Sequence, residues 1–120
     1  MLIARSDQSA KRIADCHGGK GVLWCAELLA DYRKTTAGFK YIHDNVLEPG
    51  ASIGEHTHQG DEEIYAILAG RGVMKIDGRP AEVGPGDVCL TRSGHSHDLT
   101  CGNSGPMHFL VICAITGPGT

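Results

Sequence analysis

Seventeen glycines and five prolines cut this 120-residue chain into short lengths, and no other feature limits its fold so strongly. Most of them fall in "CHGGKG" at 16 to 21, "EPG" at 48 to 50, Gly60, "AGRG" at 69 to 72, "DG" at 77 to 78, "GPGD" at 84 to 87, "SG" at 93 to 94 and "GNSGP" at 102 to 106. Glycine frees φ while proline fixes it and removes a donor, so both end regular structure. Between them lie apolar-rich segments at 21 to 28, 39 to 47, 51 to 58, 62 to 69, 72 to 77, 79 to 83, 87 to 92, 97 to 101 and 107 to 115. Short segments with prominent β-branched and aromatic residues, bounded by turn residues, predict an all-β sandwich or barrel of antiparallel strands. Asp77-Gly78 in "KIDGRP" suits a two-residue hairpin turn, which needs positive φ. A helix is expected only around 25 to 37, where "CAELLADYRKT" collects good helix formers.

The length allows one hydrophobic core, so residues 1–120 read as a single domain. A net charge of −3 supplies no basic field for a phosphate backbone, which argues against nucleic acid as a partner. The start "MLIARSDQSAKR" lacks the long apolar run of a secretion signal, and no later stretch is long enough to cross a bilayer. A soluble, cytoplasmic protein with no membrane partner is expected. Cys16, Cys25, Cys89, Cys101 and Cys113 are odd in number and form no Cys-x-x-Cys pair, so they read as reduced, small apolar residues.

Chemistry concentrates in "GASIGEHTHQGDEEIYAILAG", residues 50 to 70. Residues two apart share a face on a strand and not on a helix, so His56 and His58 can meet one object only if the segment is extended. Gln59-Gly60-Asp61 then reads as a turn that brings Glu62 or Glu63 back beside the histidines, the choice depending on hairpin register. Two imidazoles and a carboxylate without a thiolate suit a first-row divalent metal in an open site: iron, manganese, nickel or zinc. "TRSGHSHDL" at 91 to 99 offers His95 and His97, either of which could complete the set.

These residues resemble the cupin family. Its first motif, Gly, five residues, His-x-His, three or four residues, Glu, six residues, Gly, is met by Gly50, His56, His58, Glu63 and Gly70. Its second motif is met by Gly86, Gly94 and His97, with Arg92 where proline is usual and Cys101 where asparagine is usual. The resemblance, which extends to small oxalate-decarboxylase-like single-domain members, selects Glu63 over Glu62 and His97 over His95. It implies a cupin-type antiparallel β-barrel (a double-stranded β-helix, or jelly roll) with its core at about 39 to 115 and an N-terminal strand or arm at 1 to 38. It also implies one divalent ion (Mn, Fe, Zn or Ni) held by His56, His58, Glu63 and His97, and a homodimer. The expected substrate is a small chelating molecule: a dicarboxylate, keto acid or dicarbonyl, handled by a dioxygenase, decarboxylase or isomerase. A sugar isomerase or epimerase, or a non-catalytic ligand-binding module, are the alternatives.

Three further residues are candidates for the chemistry. If Asp44 and Glu48 face solvent, alternation turns Tyr41, His43, Asn45 and Leu47 inward, placing His43 beside the metal as a proton shuttle or else in the core. Tyr65 has the parity of Glu63 and could offer its hydroxyl to substrate or simply pack. Arg92 could clamp a substrate carboxylate, or lie solvated near the barrel mouth. His95 reads as a lip residue, His17 and His108 as outside the site, and Trp24 as core or dimer interface.

Overall fold

A computed structural model describes residues 1–30 and 36–117. Ten strands follow one another: β1 (Lys11–Ala14), β2 (Val22–Leu29), β3 (Phe39–Leu47), β4 (Ser52–Thr57), β5 (Asp61–Ala69), β6 (Gly72–Ile76), β7 (Arg79–Val83), β8 (Val88–Thr91), β9 (Ser96–Cys101) and β10 (Met107–Ile115). All pairings are antiparallel and build two sheets, β1-β2-β3-β10-β5-β8 and β4-β9-β6-β7. The nine expected segments correspond to β2 to β10, each end within one residue. Asp77 and Gly78 have φ of 51° and 76°, the left-handed pair that a tight β6–β7 hairpin requires.

Alternation explains the packing. Along β10, Met107, Phe109, Val111 and Cys113 are buried while His108, Leu110, Ile112 and Ala114 are half-buried on the outer face. β5 buries Asp61, Glu63, Tyr65 and Ile67 by the same rule, and β9 buries His97, Leu99 and Cys101. Leu47, Ile67, Met74, Leu99, Met107 and Phe109 thus meet between the sheets in one core. Burying a side chain of this size stabilises by roughly 1.5–3 kcal/mol. Polar residues on the same inner faces, toward one end of the core, form the site described below.

The helix expected around 25 to 37 is not formed over 25 to 29, which belong to β2; residues 31 to 35 lie outside the described residues. β1 pairs with the first half of β2, Val22 to Cys25, and β3 pairs along it as far as Leu29, where Ala26 and Leu29 are buried. Tertiary pairing overrides the helix propensity of "AELL". Trp24 points outward from β2, 36% exposed, with its Nε1 donating to Glu48 Oε1 at 3.3 Å, so it is not part of this chain's core. Among the described residues the only helical turns are two short 3-10 turns, Arg5–Asp7 and Cys16–Gly18.

Candidate metal centre

Four side chains from three strands and one turn converge. His56 on β4 lies directly across the ladder from His97 on β9, beside an irregularity in register between Ile53 and His56. His58 follows the end of β4, and Glu63 comes from β5. His97 Nε2 is 3.0 Å from His56 Nε2 and 3.1 Å from His58 Nε2. Glu63 Oε1 is 3.1 Å from His58 Nε2 and 3.2 Å from His97 Nε2. All four donor atoms lie within 4.8 Å of one another. β4 and β5 belong to different sheets, so Glu63 reaches the histidines across the core and not across a hairpin ladder, as the turn at 59 to 61 had suggested. Glu62 sits on the opposite face of β5, half-buried.

The far side of each ring is tied down. His56 Nδ1–H donates to the Gly54 carbonyl at 2.8 Å, and His58 Nδ1–H donates to Asp61 Oδ1 at 2.8 Å, with Lys40 Nζ 2.7 Å from the other oxygen of Asp61. His97 Nδ1 bonds the fully buried Thr91 hydroxyl at 2.7 Å. A carbonyl and a carboxylate can only accept, so His56 and His58 carry the proton on Nδ1 and turn the Nε2 lone pair to the centre. Lone pairs and a carboxylate facing one another repel unless a positive charge stands among them. Bonds of about 2.0–2.2 Å put neighbouring corners of an octahedron about 2.8–3.1 Å apart, so the donor set fits a first-row divalent ion in type and spacing.

The electrostatics agree. Burial alone would raise the Glu63 carboxyl, but the Tyr41 hydroxyl and the facing His58 and His97 rings outweigh it and hold the group well below the usual carboxylate range. The neighbouring Glu63 carboxylate moves His58 upward against burial, while burial lowers His56 to about 4. The carboxylate therefore stays ionised and His56 stays neutral near pH 7.

A cavity of about 200 Å³ adjoins the cluster. Tyr41 donates its hydroxyl to Glu63 Oε2, and its ring stacks on His43 at 4.4 Å. Burial and Glu63 raise the Tyr41 hydroxyl far above its ordinary value, and burial lowers His43. Tyr65 lies between His97 and Phe109, with ring centroids 4.9 and 5.2 Å away. His43 and Tyr65 line the cavity; Arg92 is exposed in the turn before β9 and does not line it. His95 is exposed and pairs with Asp77 at 2.5 Å, and His108 bonds Asp44 on the outer face of the six-stranded sheet.

Sequence reasoning missed His17, whose ring stacks on His56 at 3.8 Å. Its turn lies so close to β4 that a Cβ at Gly54 would meet the His17 carbonyl at 2.1 Å, and one at Gly19 would meet the Ser52 carbonyl at 2.2 Å. Nothing local in "CHGGKG" announces that contact. Tyr41 was legible as an inward residue, though its bond to Glu63 was not.

A cupin-domain family model matches residues 45–113. The chain is 35% identical over 112 residues to an oxalate-binding protein of Thermotoga maritima, covering 93% of this chain and 92% of that one. A crystal structure described as a predicted oxalate decarboxylase from Thermotoga maritima superposes with a TM-score of 0.90 at 34% identity, over 97% of this chain and 100% of that one. The polyketide cyclase RemF of Streptomyces resistomycificus superposes with a TM-score of 0.77 at 25% identity, over 98% of this chain and 81% of that one.

Proposed function

The chain belongs to the cupin family, and on that footing we propose that it is a metal-dependent enzyme acting on a small chelating carboxylate or carbonyl compound. His56, His58, Glu63 and His97 hold one divalent ion in this reading. The observation that carries it is the convergence of three imidazole nitrogens and one carboxylate oxygen, four of their pairs at 3.0–3.2 Å and all within 4.8 Å, with all three Nδ1 atoms engaged elsewhere. The likeness to an oxalate-binding protein supports a small carboxylate as ligand.

A divalent ion held there supplies Lewis acidity, polarising a carbonyl or carboxylate oxygen. The chain's own residues do the rest. Tyr41 holds one oxygen of Glu63 and leaves the other facing the imidazoles. Burial keeps His43 neutral near pH 7, so it can accept a proton from a ligand lying in the cavity. Tyr65 and Phe109 wall off the inner side and exclude water.

Elemental analysis of protein purified without added metal tests the centre, with about one ion per chain expected. Calorimetry with oxalate should then give binding to the loaded protein and none after chelation. Following carbon dioxide release and oxygen uptake sorts decarboxylase from dioxygenase from isomerase chemistry. Tight oxalate binding without turnover of any acid would favour the second reading, a ligand-binding cupin without catalysis, to which the oxalate-binding relative gives weight. A cytoplasmic location is consistent with five unpaired cysteines. A homodimer through the outer face of the six-stranded sheet, where Trp24 and Leu68 are 36% and 47% exposed, would bury apolar surface now open to water. Sedimentation measures the subunit number directly.

A further inference from the structure

Resting on the reading that the ligand's chelating carboxylate sits at the four donors, we propose that the opposite end of the same cavity recognises a neutral hydroxyl group through Asn45. The ligand is then a hydroxylated monocarboxylate of about four carbons and not a dicarboxylate.

Asn45 is 3% exposed, lines the cavity, and its Oδ1 is buried without a hydrogen-bond partner. An unpaired buried amide oxygen is costly, and native interiors seldom leave one unless something binds there. Its ladder neighbours cannot serve it well: Phe109 on β10 is apolar and Cys25 on β2 offers only a weak S–H donor. Tyr41, His43 and Asn45 succeed one another along the inner face of β3, so the cavity runs from the Glu63 end down to Asn45. Those four residue steps span about 13 Å between Cα atoms, part of which the side chains fill.

Charge decides what can occupy the far end. The lining contains two carboxylates, Glu27 and Glu63, and neither lysine nor arginine. A second ligand carboxylate beside Asn45 would be desolvated with no cation to pair it. A hydroxyl both donates and accepts, so it suits whichever end of the amide faces it. The volume of about 200 Å³ equals the share of about six or seven waters in the liquid, enough for a ligand of about eight non-hydrogen atoms. Oxalate is shorter and would leave Asn45 unserved.

Three acids with one chelating head separate the alternatives: 2-hydroxybutyrate, 2,4-dihydroxybutyrate and malate end in a methyl, a hydroxymethyl and a carboxylate. Calorimetry on the metal-loaded protein should rank the dihydroxy acid about tenfold tighter than 2-hydroxybutyrate, with malate weakest. Asn45→Leu should abolish the difference between the first two while leaving metal content and oxalate affinity unchanged. The wild-type ranking is decisive even if that variant does not fold. Malate binding tightest, or no gain from the terminal hydroxyl, overturns the inference while oxalate binding still upholds the carboxylate site. Loss of all acids, oxalate included, sinks both.

Discussion

Two of the recesses in this fold differ in kind, and the larger of the pair is the chemically poorer. The cleft between edge strands β7 and β8, about 790 Å³, is lined by Met74, Val83, Val88 and Leu90 with Asp77, Arg79, Glu82 and Asp87 among them. The cavity beside the histidines has about 200 Å³. The cleft exists because two sheets part where neither edge has a partner, a consequence of topology alone. In the cavity, by contrast, buried polar groups from both sheets face one another with their outer atoms fixed, an arrangement that is costly to keep without use. Convergence of oriented groups, and not size, marks the site.

The comparison can be broken most directly at the donors. Replacing Glu63 by Gln, or His97 by Ala, should weaken metal binding by about a hundredfold or more, since each removes a first-row metal donor. The matched substitution Glu62→Gln should leave affinity unchanged. Metal titration followed by equilibrium dialysis reads both, with circular dichroism as the check on folding. An equal loss at Glu62 would contradict the facing of β5 described above.

A step smaller is Tyr41→Phe, which frees Glu63 Oε2 and should lower metal affinity about tenfold with little change in thermal stability. Each recess also holds a thiol raised foremost by burial: Cys16 in the cavity and Cys89 in the cleft. A bound small acid should slow alkylation of half-buried Cys16 several-fold and leave Cys89 unaffected, as peptide mapping by mass spectrometry would show. Equal protection of both would place ligand in the wrong recess. The smallest effect is expected from Val88→Lys in the cleft: no change in metal content, and a shift in unfolding free energy within about 0.5 kcal/mol by denaturant titration.

Much of this was readable from the chain because strands and turns are local. The limits of β3, β7 and β10 follow from Gly and Pro positions and β-branched content. β1 was not readable: "KRIA" is four residues with no alternation, and only its ladder with β2 makes it a strand. The helix expectation failed for the same reason in reverse, since "AELL" carries helix propensity that pairing with β3 overrules. At the site, spacing singled out His56 and His58 and the cupin resemblance added Glu63 over Glu62 and His97 over His95, whereas the path by which Glu63 arrives depends on which sheet each strand joins. Local pattern contains no information on that. His17 and the orphaned Asn45 oxygen are contacts across the fold, visible only once β2, β3 and β4 are placed.

Three of the four converging donors stand on or beside the four-stranded sheet and the fourth on its partner. Sliding one layer over the other would separate Glu63 from the imidazoles without breaking any rung within either ladder. An ion seated among them therefore acts as a rivet between layers, and its binding energy adds to the resistance of the sandwich to shear. Thermal unfolding that shifts upward with ion concentration, by mass action, would reveal that brace.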